Sequence, residues 1–198
     1  MRRRTAGAAA ALTALLALTA CNGGEPTTTE PTSSPTPTET TSAPADPKEQ
    51  AVTDATAALQ RYFEMVDQLA QNPKMPLEKN LKKVVTSSGY SLTWTVLNQG
   101  RRKGYTQHGE TTFEVDKVLE VSLDNSNPKK GVAPTVQLQV CYDVSNVDVV
   151  DKSGTSVVSD DRLDKAIATY WVSNYDYKSD PRGGWIVSGR QARGDRTC

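Results

Sequence analysis

The chain has 198 residues, with 23 Lys and Arg against 23 Asp and Glu, so its formal net charge is zero. Such a balance does not suit an extended polyanion as partner, which sets nucleic acid aside. One histidine and three cysteines leave no way to build a metal cluster or a Ser-His-Asp set around more than one imidazole; no cofactor motif is present.

Met1-Arg2-Arg3-Arg4 is followed by a run from Ala8 to Ala20 that is apolar apart from Thr13 and Thr19. A positive start, a short apolar core and small residues before a cut make a secretory signal peptide over residues 1–20. The run is well short of the ~20 residues that span a bilayer. Leu18-Thr19-Ala20-Cys21 resembles the lipobox of bacterial lipoproteins. That resemblance implies cleavage before Cys21 and diacylglycerol on its sulfur, hence a membrane partner and a place on the outer face of the cytoplasmic membrane. Acyl chains on one cysteine hold a protein stably on a bilayer, at ~0.8 kcal/mol for each buried CH₂.

Residues 22–47 read Asn-Gly-Gly-Glu-Pro and then mainly Thr, Ser, Pro and Glu up to Asp46-Pro47, with no large apolar side chain. They cannot bury enough surface to offset their ordering entropy, which predicts a disordered tether over 21–47. Its reach lies between about 28 Å as a random coil and about 80 Å as polyproline. The tether also holds Glu25, Glu30, Glu39 and Asp46, and the remainder, 48–198, is a nearly neutral single domain.

Asp46-Pro47-Lys48-Glu49 has an N-cap acid, proline at the first helical position and Glu three residues after the cap. Val52, Ala55, Leu59, Tyr62, Phe63, Val66 and Leu69 then recur in steps of three and four, one face of a helix that Asn72-Pro73 ends. A shorter helix follows with Leu77, Leu81, Val84 and Val85 inward and Lys79, Lys82 and Lys83 outward; Ser87-Ser88-Gly89 breaks it. A third helix is expected from Ser91 to Lys103, with Trp94 on it and Gly104 as C-terminal cap, while Ser91 to Leu97 also alternates in period two through Leu92, Trp94 and Val96. The Arg101-Arg102-Lys103 cluster reads as a helix end, not a phosphate site.

From Gly109 the period changes to two. Phe113, Val115, Leu119, Val121 and Leu123 take one face, interrupted by Lys117, and Asn125 to Pro128 turn the chain. Val136, Leu138, Val140, Tyr142 and Val144 alternate inward against Gln137, Gln139, Cys141 and Asp143. Val147 to Val150 stays extended, and Asp151-Lys152-Ser153-Gly154 predicts a type I turn with a glycine bulge leading to Thr155–Val158. A strand from Lys165 to Tyr177 puts Trp171, Tyr175 and Tyr177 on one face; Asp180 to Gly184 turns it, and Trp185 to Arg193 is the last strand. Helices first and antiparallel strands after them predict an α+β fold, with one long and one or two short helices packed on a curved antiparallel sheet.

This element order over Asp46–Arg193 resembles the nuclear-transport-factor-like fold, the cone shared with ketosteroid isomerases. A second resemblance rests on Val140-Cys141-Tyr142-Asp143-Val144-Ser145, on Val147 to Gly154, on Gly184-Trp185-Ile186-Val187 and on the terminal cysteine. These look like uncharacterised lipoproteins of actinobacteria and their phages, a family that implies an address and a fold but no activity. Cone folds commonly dimerise through the outer face of the sheet, so the resemblance also implies a homodimer.

With Cys21 lipidated, Cys141 and Cys198 remain, and an exported protein meets oxidising conditions, so they are expected to pair. That requires Cα atoms about 4.4–6.8 Å apart. His108 reads as a surface residue at a strand entrance, and Asp148, Asp151 and Ser153 as turn residues lacking the spacing of a calcium loop. The cone resemblance implies a pocket between long helix and sheet, which Tyr62, Tyr142, Tyr170, Trp171 and Trp185 would line. Enzymes using such a pocket need an Asp base in an apolar cavity. Asp67, Asp116 and Asp143 all sit off the inward register. Two functions stay open: a non-enzymatic binding or interaction module for an unknown protein or small molecule, which the tether and missing catalytic set favour, and a small-molecule isomerase or dehydratase.

Overall fold

The computed structural model describes residues 46–193 and 197–198. The chain divides into Met1–Ser42 and Ala43–Cys198, and every described residue belongs to the second unit. Cys21, the leader and nearly all of the tether lie outside the described residues.

Asp46 accepts a hydrogen bond from the Lys48 N–H at 2.9 Å, and Pro47 opens helix α1, Pro47–Gln71. Proline at that place loses no hydrogen bond and its φ suits the helix. Ala55, Leu59, Tyr62, Phe63 and Leu69 form the buried face as the spacing requires; Ala51, Ala58 and Asp67 are buried too. Asn72 ends the helix.

Helix α2, Leu77–Leu81, is one turn long. The chain then runs beside the last strand: Val85 bridges Val187, the Thr86 N–H donates to the Val187 carbonyl at 2.9 Å, and the Val187 N–H to that of Val84 at 3.1 Å. Here the expected break is corrected. Ser87-Ser88-Gly89 opens helix α3, Ser87–Lys103, instead of ending α2. The Ser88 hydroxyl donates to the Ser188 carbonyl at 2.9 Å, and a Cβ on Gly89 would stand 2.6 Å from the Val85 side chain. Glycine there leaves room for the Val85 side chain against the first turn of α3. Gly104 at φ 77° caps the other end of α3 as expected, a left-handed conformation that costs glycine nothing.

Six strands follow: β1 Thr106–His108, β2 Thr112–Ser122, β3 Thr135–Asp143, β4 Asp148–Val150, β5 Lys165–Asn174 and β6 Trp185–Arg193. The main sheet has the order β2-β3-β5-β6 and β1 pairs with β4 in a separate small sheet; every pairing is antiparallel. The fold is α+β, with helices packed on one face of an antiparallel sheet that does not close into a barrel. Leu59 and Leu69 of α1 meet Val136, Leu138, Val140, Tyr170, Val172 and Val187 in one buried core.

Two strand expectations are corrected. In β2 the register slips between Val115 and Lys117 and again between Val118 and Glu120. Each slip is a bulge that adds one residue and turns the following side chains over. Val118 thereby pairs with Leu138, yet it and Leu119, expected inward, are both exposed, at 38% and 40%. β5 stops at Asn174, not Tyr177. The Asn174 amide donates to the Asp180 carbonyl at 2.7 Å and its oxygen accepts from the Asp176 N–H at 3.0 Å, an asparagine bonding its own turn. Tyr175 and Tyr177 lie beyond the strand.

The hairpin after β4 forms as read. The Gly154 N–H donates to the Asp151 carbonyl at 3.0 Å, and the Asp151 carboxylate accepts from the Ser153 and Thr155 N–H groups at 2.8 and 3.1 Å. Cys141 and Cys198 are bonded, with Cα atoms 5.8 Å apart. Cys141 faces Ile167, which faces Arg193, so the chain end is joined to β3 across β5.

Candidate functional site

The first strand to consider is β6. Trp185 and Val187 face Asn174 and Val172 of β5, all buried, on the helix-covered side of the sheet. Strict alternation would then send Arg190 outward. Instead the register shifts at Ser188: Trp171 pairs with Gly189 and Tyr170 with Arg190. Ser188 is the extra residue of a bulge, and its hydroxyl donates to the Trp171 carbonyl at 3.1 Å. A bulge re-aims the side chains that follow it, so Arg190 stands on the inner face beside fully buried Tyr170. The inward residues that follow on β5 are the small Ala168 and Ala166. It sits 5.8 Å from the Tyr170 ring centre and 5.5 Å from that of Tyr142, within the range of cation–π attraction.

Arg190 lines a cavity of about 360 Å³ enclosed by α1, α3 and the small sheet. Val66 and Ala70 of α1, Leu97 of α3 and Val149 of β4 form apolar walls. Leu92 and Val96, one turn apart on α3, form the rim and are 56% and 61% exposed. Tyr62 and Thr93 meet there hydroxyl to hydroxyl at 2.9 Å. Burial pushes the Tyr62 phenol up, only partly offset by the Thr93 bond and the Arg190 charge. Burial likewise raises the Tyr170 phenol far above its ordinary range, with Arg190 pulling back. Both phenols are therefore neutral at ordinary pH and do not cancel the Arg190 charge. Among the described residues no carboxylate forms an ion pair with Arg190, and none lines the cavity.

Two further cations border the cavity. Arg101 is committed to the fold: its guanidinium donates to the carbonyls of Met75 at 2.8 Å, Leu69 at 3.0 Å and Asn72 at 3.4 Å, satisfying the C-terminal end of α1 where a cation is favoured. Lys103 lies 5.5 Å above the Tyr105 ring.

Of the five aromatics expected to line a pocket, Tyr62 does so. Tyr170 is core, 5.9 Å from Tyr62 and 5.6 Å from Phe63; Tyr142 lies under the guanidinium. Trp171 is on the opposite face of the sheet, against Gly189, because neighbouring residues of a strand point to opposite sides. Trp185 is buried at the far end of β6, donating to the Pro181 carbonyl at 3.0 Å and edge-on to Tyr177. Tyr142, Tyr170, Trp171 and Trp185 are therefore not among the residues that line this cavity.

Asp67, read as lying off the helix stripe, is buried. It accepts from the Gln107 amide at 2.7 Å and from the Thr111 N–H and hydroxyl at 2.7 and 2.9 Å. Asp143 stays on the outward register with Lys165 at 3.0 Å. Hydrogen bonds from Ser145, then the Lys165 ammonium, hold its carboxyl down at about 2. Asp116 accepts from Gln139 on the outer face, and His108 is exposed on β1. The sequence reading missed Arg190, Thr93 and the Leu92–Val96 rim. The usable signal for Arg190 was Gly189, since an isolated glycine inside a strand marks a bulge.

No family model and no curated protein matches the chain. Among solved structures it is similar to the intermembrane space region of chloroplast protein ARC6, at a TM-score of 0.43 and 16% identity over 72% of this chain and 95% of that one. A likeness of that degree carries no argument about the present protein.

Proposed function

We propose that this protein is a lipid-anchored, extracytoplasmic binding module that holds a small molecule in the cavity between α1, α3 and the small sheet. In this reading Cys21 carries the lipid, residues 22–47 are the tether, and the domain is a nuclear-transport-factor-like cone. Among the described residues no helix is long and apolar enough to cross a membrane; the anchor in this reading rests on the lipobox resemblance of Leu18-Thr19-Ala20-Cys21. The observation that supports binding over catalysis is the chemistry of the lining: apolar walls, hydroxyls, amides and cations, with no carboxylate or imidazole. An isomerase or dehydratase needs a base within hydrogen-bond reach of the proton it removes, and Asp67 is turned to Gln107 and Thr111 instead.

The test is occupancy of the cavity. Gly100 lines it from α3, and a Cβ there meets nothing nearer than Tyr105 Cβ at 4.0 Å. Gly100→Leu puts a side chain into that space, and replacing a mid-helix glycine favours the helix. The full chain carrying Cys21→Ala, and hence no lipid, is expected to raise the fluorescence of the neutral probe N-phenyl-1-naphthylamine saturably. Adding Gly100→Leu is expected to abolish that rise. A rise unaffected by Gly100→Leu, or none in either chain, rejects the cavity as the binding site.

A further inference from the structure

A cavity open to solvent, walled by apolar side chains and lined by Arg190, Arg101 and Lys103 with no carboxylate among its lining residues, makes a demand on what enters. Arg190 reaches this position only because β6 carries a bulge at Ser188. Its guanidinium lies along the rings of Tyr142 and Tyr170, so the aromatic faces steady it while its N–H groups have no carboxylate partner among the described residues. The residue as a whole remains exposed, so the charge is reachable from the cavity. A guanidinium offers a flat fork of donors that matches a carboxylate in two parallel hydrogen bonds. The paired hydroxyls of Tyr62 and Thr93 stand at the same wall and add donors that either residue can turn toward an anion. Beside them on the same two helices, Val66, Leu97 and the exposed Leu92 and Val96 supply an apolar path to the surface.

We infer that the ligand is an amphiphilic organic anion, with a carboxylate head on Arg190 and an apolar body along α3 toward Leu92 and Val96. This rests on the proposed binding function and narrows it to a ligand class. The volume, about 360 Å³, lies at the small end of ligand pockets, which run to roughly 300–1,000 Å³. That favours a short acyl or aryl acid over a two-chain lipid. A neutral ligand of the same shape would leave the guanidinium desolvated and unpaired, a cost that discriminates strongly between the two.

The test uses a matched pair of probes on the full chain carrying Cys21→Ala. 8-Anilinonaphthalene-1-sulfonate and N-phenyl-1-naphthylamine share one aryl body and differ in the sulfonate. The anionic probe is expected to bind at least about ten-fold more tightly, as a charge-assisted pair implies. Decanoate is expected to displace it, and 1-decanol is not. Arg190→Gln is expected to weaken the anionic probe at least about ten-fold and not to weaken the neutral one. Arg190→Lys keeps the charge over the rings without the fork, and is expected to fall between the two. It also guards against a folding defect in the glutamine variant, which circular dichroism would reveal. Equal binding of the two probes, or anionic binding untouched by either substitution, overturns the anionic ligand and leaves the cavity as a binding site. No binding of either probe removes both readings together.

Discussion

Asp67 shows how one buried carboxylate sets the shape of the site. It sits on α1, one residue after the cavity-lining Val66, and holds Gln107 and Thr111 on the segment that carries β1. Gln107 in turn borders the cavity, so Asp67 fixes the distance between the long helix and the small sheet. Replacing it with alanine leaves three donors without their acceptor in a buried place, where hydrogen bonds to a charged group are worth ~1.5–3 kcal/mol each. Asp67→Ala is expected to destabilise the domain by about 3 kcal/mol, and Asp67→Asn, which keeps one acceptor, by less. Urea unfolding midpoints at constant slope measure both; a loss below about 1 kcal/mol for alanine would show that the clasp is dispensable. The partners of Asp67 lie forty and forty-four residues away. The helical spacing that placed Val66 and Leu69 inward could not show that a charge beside them had somewhere to go.

At the scale of elements, bulges separate what the periodicity predicts from what the strands do. The two in β2 move Leu119 out to solvent and pair Val118 with Leu138, and the one in β6 brings Arg190 in. A one-residue slip turns every later side chain to the other face, so a pattern of period two is reliable only up to the first bulge. β3, which pairs without a slip to β5, kept its whole predicted alternation, including outward Cys141. That outward cysteine is explained by Cys198, bonded to it across a separation of 57 residues. In the chain-entropy account, closing a loop of this size stabilises by roughly 4 kcal/mol. Cys141→Ser with Cys198→Ser, or a reductant added to the wild type, is expected to lower the thermal midpoint substantially, by the same amount in both cases. An unchanged midpoint would show that the chain end contributes nothing to the stability of the sheet.

For the whole molecule, the leader and the domain make separate claims. If Cys21 carries diacylglycerol, wild-type protein from a host that processes lipoproteins is expected in the detergent phase with the membrane fraction, and Cys21→Ala in the aqueous phase. Equal partitioning of the two would remove the anchor and leave an exported protein with a free tail. The order of helices before strands, the caps of α1, the C-terminal cap of α3, the hairpin after β4 and the pairing of Cys141 with Cys198 were all determined by the chain alone. Each depends on residues close in sequence or, for the cysteines, on there being only one partner left. The cavity was decided by the tertiary structure. Its walls come from α1, α3 and β4, its charge from the far end of β6, and its geometry from a bulge at Ser188 seated against α3 through Ser88. Local propensity reports which way a chain turns. Whether a cation ends in solvent or in a cavity depends on register against a strand elsewhere, and that is settled only when the elements pack.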